Sequence, residues 1–125
     1  MPRKLHDRKD DQMQTFIARR TTSEFRRLAG LDRHTRAHAL LLLGAHPGLS
    51  ISSGRRTPLG NRRVGGSARS FHLKGRAIDL TGPSTLLQAA ASTAWAQRLS
   101  GGCTGPEEVL LEDMGQANQH LHVAW

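Results

Sequence analysis

The chain has 125 residues, with 18 Lys plus Arg against 10 Asp plus Glu, a formal charge of +8. That length fits one domain with a modest core, and no apolar run approaches the roughly 20 residues that a membrane-spanning helix needs. The lone cysteine, Cys103, excludes an internal disulfide and a cysteine-rich zinc site, while three Phe, two Trp and no Tyr are too few aromatics for a stacking platform on single-stranded nucleic acid.

The elements follow in chain order. Residues 1–14 are polar and without period, and residues 1–20 read as a basic N-terminal arm ended by Ala18-Arg19-Arg20, ahead of one domain over 21–125. Thr21-Thr22-Ser23-Glu24 supplies cap-forming residues before Phe25, Leu28 and Ala29, which predicts a short helix ended by Gly30. Asp32 is placed to cap a second helix carrying Ala37, Leu40, Leu41 and Leu43, with Gly44 to Gly48 and Pro47 as its stop. Leu49-Ser50-Ile51-Ser52-Ser53 alternates apolar and small polar residues and predicts a strand. Residues 54–67, rich in Gly and Arg, read as a long loop of the kind that is usually functional or mobile.

Ala77-Ile78-Asp79-Leu80 predicts a second strand, and Gly82-Pro83-Ser84 opens a helix through Leu86, Leu87, Ala90, Ala94 and Leu99 that Gly101-Gly102 ends. Residues 108–112 and 120–125 read as the last two strands. Helices first, then strands around one inserted helix, give an α+β class with a small antiparallel sheet and helices packed on it.

The chemistry begins at His72 and Asp79, which flank Gly75. A turn at Gly75 followed by a strand brings the two together. On that strand Ala77 and Asp79 share one face, while Ile78 and Leu80 point into apolar packing. A carboxylate in such surroundings is costly to bury unpaired, so Asp79 needs a metal or a cation beside it. On the last strand His120 and His122 share one face, and Leu121 and Val123 the other. One His, one Asp and one later His are three ligands, the number a catalytic zinc keeps with its fourth position left for water.

At these residues the sequence resembles the zinc D-alanyl-D-alanine carboxypeptidases and their relatives, the D-Ala-D-Ala dipeptidases and the phage L-alanyl-D-glutamate endopeptidases. Ser70, His72, Gly75, Ala77 and Asp79 match the motif Ser-x-His-x-x-Gly-x-Ala-x-Asp of that family. Ser52-Ser53-Gly54-Arg55-Arg56-Thr57, with Asn61, Val64, Gly65 and Gly66, is similar to its Ser-Gly-Tyr-Arg-(Ser/Thr) stretch and the Asn…Val-Gly-Gly that follows. His120-Leu121-His122-Val123 resembles its His-x-His-Val ending. The resemblance covers about residues 31–125 and implies a D,D-peptidase/Hedgehog-like fold.

The resemblance also implies roles. His72, Asp79 and His122 match the zinc ligands, Arg56 the arginine that binds substrate and steadies the oxyanion, and Ser70 a serine near the substrate. Zinc would polarise the scissile carbonyl and lower the pKa of its water. Arg55 stands where the family often has tyrosine. Gln119 stands three residues before the last zinc histidine, where many members carry the Asp or Glu that serves as general base. An amide cannot take that proton. Glu112 or Asp113, either of them if residues 114–118 fold back, and His120 are the replacement candidates.

Other constellations carry less. His34 and His38 are four apart on a predicted helix, without an accompanying carboxylate motif, and read as surface histidines. Asn61 with Arg62-Arg63 and Gly65-Gly66 lacks the Lys-Ser/Thr ending of a phosphate cradle.

The expected function is a zinc metallopeptidase that cleaves peptidoglycan stem peptides, as a D,D-carboxypeptidase or an endopeptidase. A catalytically impaired, zinc-containing wall-binding or virion protein is the alternative. The positive charge predicts attraction to a polyanion without choosing among nucleic acid, membrane and anionic cell wall. It is the resemblance that implies peptidoglycan peptides as partner, with nucleic acid a charge-driven alternative. Residues 1–20 lack the apolar core of a signal peptide. The expectation is cytoplasmic synthesis and action at the wall after release, or delivery by a phage particle or other machinery.

Overall fold

The structure, a computed structural model, describes residues 20–100 and 105–125. The expected basic arm up to residue 19, the Gly101-Gly102 helix stop and Cys103 lie outside the described residues.

Capping chemistry sets the first two helices. Thr21 caps α1 (Thr22–Ala29): its hydroxyl accepts from the Glu24 N–H at 3.2 Å, and the Glu24 carboxylate accepts from the Thr21 N–H at 3.1 Å. This reciprocal box satisfies two amides that the helix start would otherwise leave open. Gly30 ends α1, and Asp32 caps α2 (Arg33–Ala45) by accepting from the His34 and Thr35 N–H groups at 2.8 and 3.1 Å.

Four short strands follow: β1 (Ser50–Ser53), β2 (Ala77–Thr81), β3 (Glu108–Glu112) and β4 (His120–Ala124). They form one antiparallel sheet in the order β1-β2-β4-β3. The β1–β2 register shifts between Ile51 and Ser53, so that Ser53 comes to lie opposite Asp79. The long helix α4 (Ser84–Ser100) is inserted between β2 and β3, with the Pro83 carbonyl accepting from the Leu86 and Leu87 amides at 3.0 Å. The fold is α+β, as the order of elements predicts.

One face of the sheet is the core. Ile78, Leu80, Leu121 and Val123 are fully buried there with Leu42, Leu43, Leu87, Ala90 and Ala94 from α2 and α4. Each buried Leu, Ile or Val contributes about 1.5–3 kcal/mol. The apolar face can therefore stabilise the fold while the opposite face, with Asp79, His120 and His122, carries polar groups.

Two expectations change. Residues 54–67 are not one loop: Thr57 caps a helix, α3 (Pro58–Arg63), by accepting from the Gly60 N–H at 3.0 Å, and Pro58 sits in its first turn. Asn61, buried on α3, donates to the Ser67 carbonyl at 2.8 Å and gathers the rest of the segment. Arg20, placed by its charge in the basic arm, is buried instead. Its guanidinium pairs with Glu24 at 3.3 Å and donates to the Pro47 carbonyl at 3.1 Å and to the Leu49 carbonyl. The two carbonyls come from a distant segment, which is why charge alone misplaces it.

A candidate metal centre

Local chain chemistry first aims His72. Ser70 caps a 3-10 turn (Phe71–Lys74), its hydroxyl accepting from the His72 N–H at 3.2 Å. Gly75 ends the turn at φ 68°, in the left-handed region that glycine adopts freely. The chain then enters β2, where Asp79 is the direct partner of His122 on β4.

His72 and Asp79 are 2% and 7% exposed. His72 Nε2 lies 3.3 Å from Asp79 Oδ1, and His122 Nδ1 lies 3.1 Å from the same oxygen. Three ligand atoms, one from each residue, fall within 4.8 Å of one another. Bonds of about 2.0–2.1 Å to a tetrahedral zinc would set ligand atoms roughly 3.3 Å apart, close to both distances.

The second ring nitrogens test the fit further. His72 Nδ1 lies 2.7 Å from the Gly54 carbonyl, which only accepts, so Nδ1 carries the proton. In the neutral ring Nε2 then turns its lone pair toward a carboxylate oxygen. His122 stands between two carboxylates, with Nε2 3.0 Å from Glu108 Oε1 and Nδ1 facing Asp79. Two neutral rings supply too few protons for these contacts. A further proton on His122 or a metal cation between the lone pairs and Asp79 makes up the difference, and the N,O,N donor set suits zinc.

The same proximity shifts the protonation equilibria of the metal-free groups. Burial alone would raise Asp79, but hydrogen bonds to His122 and His72 and their charge outweigh it, holding the carboxyl well below its usual range. Burial alone would lower His122, but its bonds to Asp79 and Glu108 outweigh that and raise it.

A family model for peptidase M15 matches residues 39–124. The chain belongs to the peptidase M15 family. No curated protein matches it. The matched span includes all four strands, α3, α4 and the three residues that could hold a metal, and it supports a hydrolase that cuts peptide bonds.

The other predicted site residues of this M15 family member surround an open cavity of about 680 Å³ lined by Arg56, Ser70, Glu112, Asp113 and His120 together with His72, Asp79 and His122. Arg56 donates to Asp79 Oδ2 at 3.0 Å, so it braces the carboxylate whose other oxygen faces both histidines. Glu112 and His120 are partners across β3 and β4, with Oε2 and Nε2 3.8 Å apart on the rim. Asp113 accepts from Asn118 at 3.0 Å, closing the β3–β4 connection beside the same cavity.

Gln119 does not face this cavity. Its amide oxygen accepts from the Ser84 hydroxyl at 2.8 Å and from the Gly115 N–H at 3.0 Å, and its NH2 donates to the Gly82 carbonyl at 2.9 Å. Strand alternation explains this: Gln119 and Leu121 point away from the face that carries His120 and His122. Gln119 clamps the β3–β4 connection to the start of α4.

Sequence reasoning misses Glu108. Alternation along β3 puts it on the face of Leu110 and Glu112, but only the pairing of Leu110 with His122 brings that face over the site. His34 and His38 stack edge-to-face, with ring centroids 4.5 Å apart, and His38 packs on Trp125 at 5.5 Å. Among the described residues, His72, Asp79 and His122 form the grouping able to hold a metal.

Proposed function

We propose that this M15 family member is a zinc-dependent peptidase that hydrolyses amide bonds in the stem peptides of peptidoglycan. The observation that carries the reading is the largely buried His72–Asp79–His122 grouping, whose N,O,N donor set suits zinc and which opens onto a cavity with Arg56 on its wall. Zinc held there by His72, Asp79 and His122 would supply a Lewis acid to polarise the scissile carbonyl and make water nucleophilic near neutral pH.

The chain's own groups divide the remaining work. Arg56 keeps Asp79 oriented with one N–H and has further donors for the oxygen on which negative charge develops. Glu112 takes up the proton released by the attacking water, and His120 beside it passes a proton to the leaving amine. Ser70 spends its acceptor on the His72 amide, leaving its O–H free to donate to the substrate peptide. The net charge of +8 favours approach to an anionic wall. Peptidoglycan lies outside the cytoplasm, so we place the action at the wall after release or delivery, a phage particle being one vehicle.

The test is purified protein with its zinc content measured, incubated with muropeptides. New termini should appear, cease on chelation and return with zinc. No cleavage by fully zinc-loaded protein at high concentration would overturn the peptidase reading. Zinc and wall binding without turnover would select a wall-binding or virion role instead.

A further inference from the structure

His72 and His122 are held from behind by different acceptors. Behind His72 is a neutral carbonyl, Gly54 O at 2.7 Å; behind His122 is a carboxylate, Glu108 Oε1 at 3.0 Å. Glu108 reaches His122 diagonally across the β3–β4 pair, since Leu110 rather than Glu108 is the direct partner of His122. An ionised carboxylate only accepts, so the contact places a proton on Nε2 and leaves the Nδ1 lone pair directed at Asp79.

We propose that Glu108 is a positioning residue of the metal centre, one that fixes His122 in the tautomer that donates its lone pair through Nδ1. The inference rests on the metal-centre reading of His72, Asp79 and His122. Three features support it. Glu108 Oε1 is within hydrogen-bond distance of the ring nitrogen that does not face Asp79. The Glu108 side chain is 40% exposed while that of His122 is 13% exposed, so the carboxylate stays hydrated at the rim and holds an inner group in place. Arg56 does the same for the third ligand by donating to Asp79 Oδ2. Each of the three candidate ligands thus has a partner behind it; such outer partners orient ligands, and an acceptor behind a histidine N–H also raises the basicity of that ring.

The experiment compares zinc affinity of wild type, E108A and E108Q by competition with a chromophoric chelator, alongside long-range 1H–15N spectra of the zinc-loaded proteins. Wild type should show His122 protonated at Nε2 and metal-bound at Nδ1. E108A should weaken zinc by about 10–100-fold, the usual effect of losing an outer-shell partner, and speed exchange of the Nε2 proton. E108Q, whose amide oxygen still accepts, should recover most of that loss. Wild-type zinc affinity and an unchanged Nε2 proton in E108A would overturn the inference alone. So would two variants that bind zinc normally and lose only turnover, since Glu108 would then act on substrate or solvent. A wild type that binds no zinc would overturn the metal-centre reading and this role with it. Should E108A not fold, the wild-type spectrum decides: metal on Nε2 overturns the assignment, metal on Nδ1 with a hydrogen-bonded Nε2 proton supports it.

Discussion

His122 Nδ1 lies 3.1 Å from Asp79 Oδ1, and the two residues are direct partners across β4 and β2 although 43 positions separate them. Sheet register sets the spacing between the two ligands, so the site is only as rigid as the ladder beneath it. The ladder is backed by Ile78, Leu80, Leu121 and Val123, all fully buried. A centre on such a base should be formed before metal arrives.

Asp79→Asn keeps the shape and removes the charge. It should weaken zinc by more than the roughly 10–100-fold typical of outer-shell changes, because a carboxylate oxygen facing both histidines is replaced by a neutral amide. Chelator competition measures this; affinity close to wild type would exclude Asp79 as a ligand.

The metal-free protein should have a characteristic pH profile. Asp79 is held well below its ordinary value of 3.8, so its stabilisation is present above that value and is lost as pH falls further. His122 is raised above 6.5, so its stabilisation is complete below that value and is lost as pH rises through its folded pKa. Stability from this pair should peak at about pH 5–6. Urea unfolding of chelator-treated wild type and His122→Ala across that range measures it. A wild-type advantage that grows steadily above about pH 7 would contradict the sign.

Gln119→Glu should not raise peptidase activity. Its side chain is engaged with Ser84, Gly115 and Gly82, and the Glu carboxylate would lose the donor that the Gly82 carbonyl accepts. A stability loss of about 1–3 kcal/mol is expected, the range for leaving a partly buried polar group without its partner. Unfolding curves and turnover together check this. A gain in turnover would show that position 119 does reach the substrate.

Gly75→Ala tests the turn that aims His72. At φ 68° an L-residue costs about 1–2 kcal/mol. The added Cβ would also lie 3.0 Å from the Gly30 carbonyl oxygen and 3.2 Å from the Asp32 nitrogen, both backbone atoms with little room to yield. Destabilisation on the order of 2 kcal/mol or more is expected, with weaker zinc binding. A variant within about 0.5 kcal/mol of wild type by urea unfolding would contradict that.

Much of the site is legible in the amino-acid order. Thr21 and Asp32 cap helices with their own side chains, and Gly75 makes the turn its position predicts, because these are local effects read from neighbouring residues. The alternation in His120-Leu121-His122 places two histidines on one face for the same reason. The helix within residues 54–67 is harder to read although Thr57-Pro58 signals a helix start, because the surrounding Gly and Arg residues outweigh a six-residue element.

The sequence by itself determined the family, the fold class and the three candidate ligands, since these rest on short motifs and on the periods of helix and strand. Tertiary structure decided what stands behind each ligand. Register between β3 and β4 carried Glu108 to His122, the turn after β1 brought Arg56 to Asp79, and the β3–β4 connection turned Gln119 away from the cavity and into a clamp on α4. Each is a long-range pairing, and side-chain alternation fixes a face without saying which distant strand or helix that face will meet.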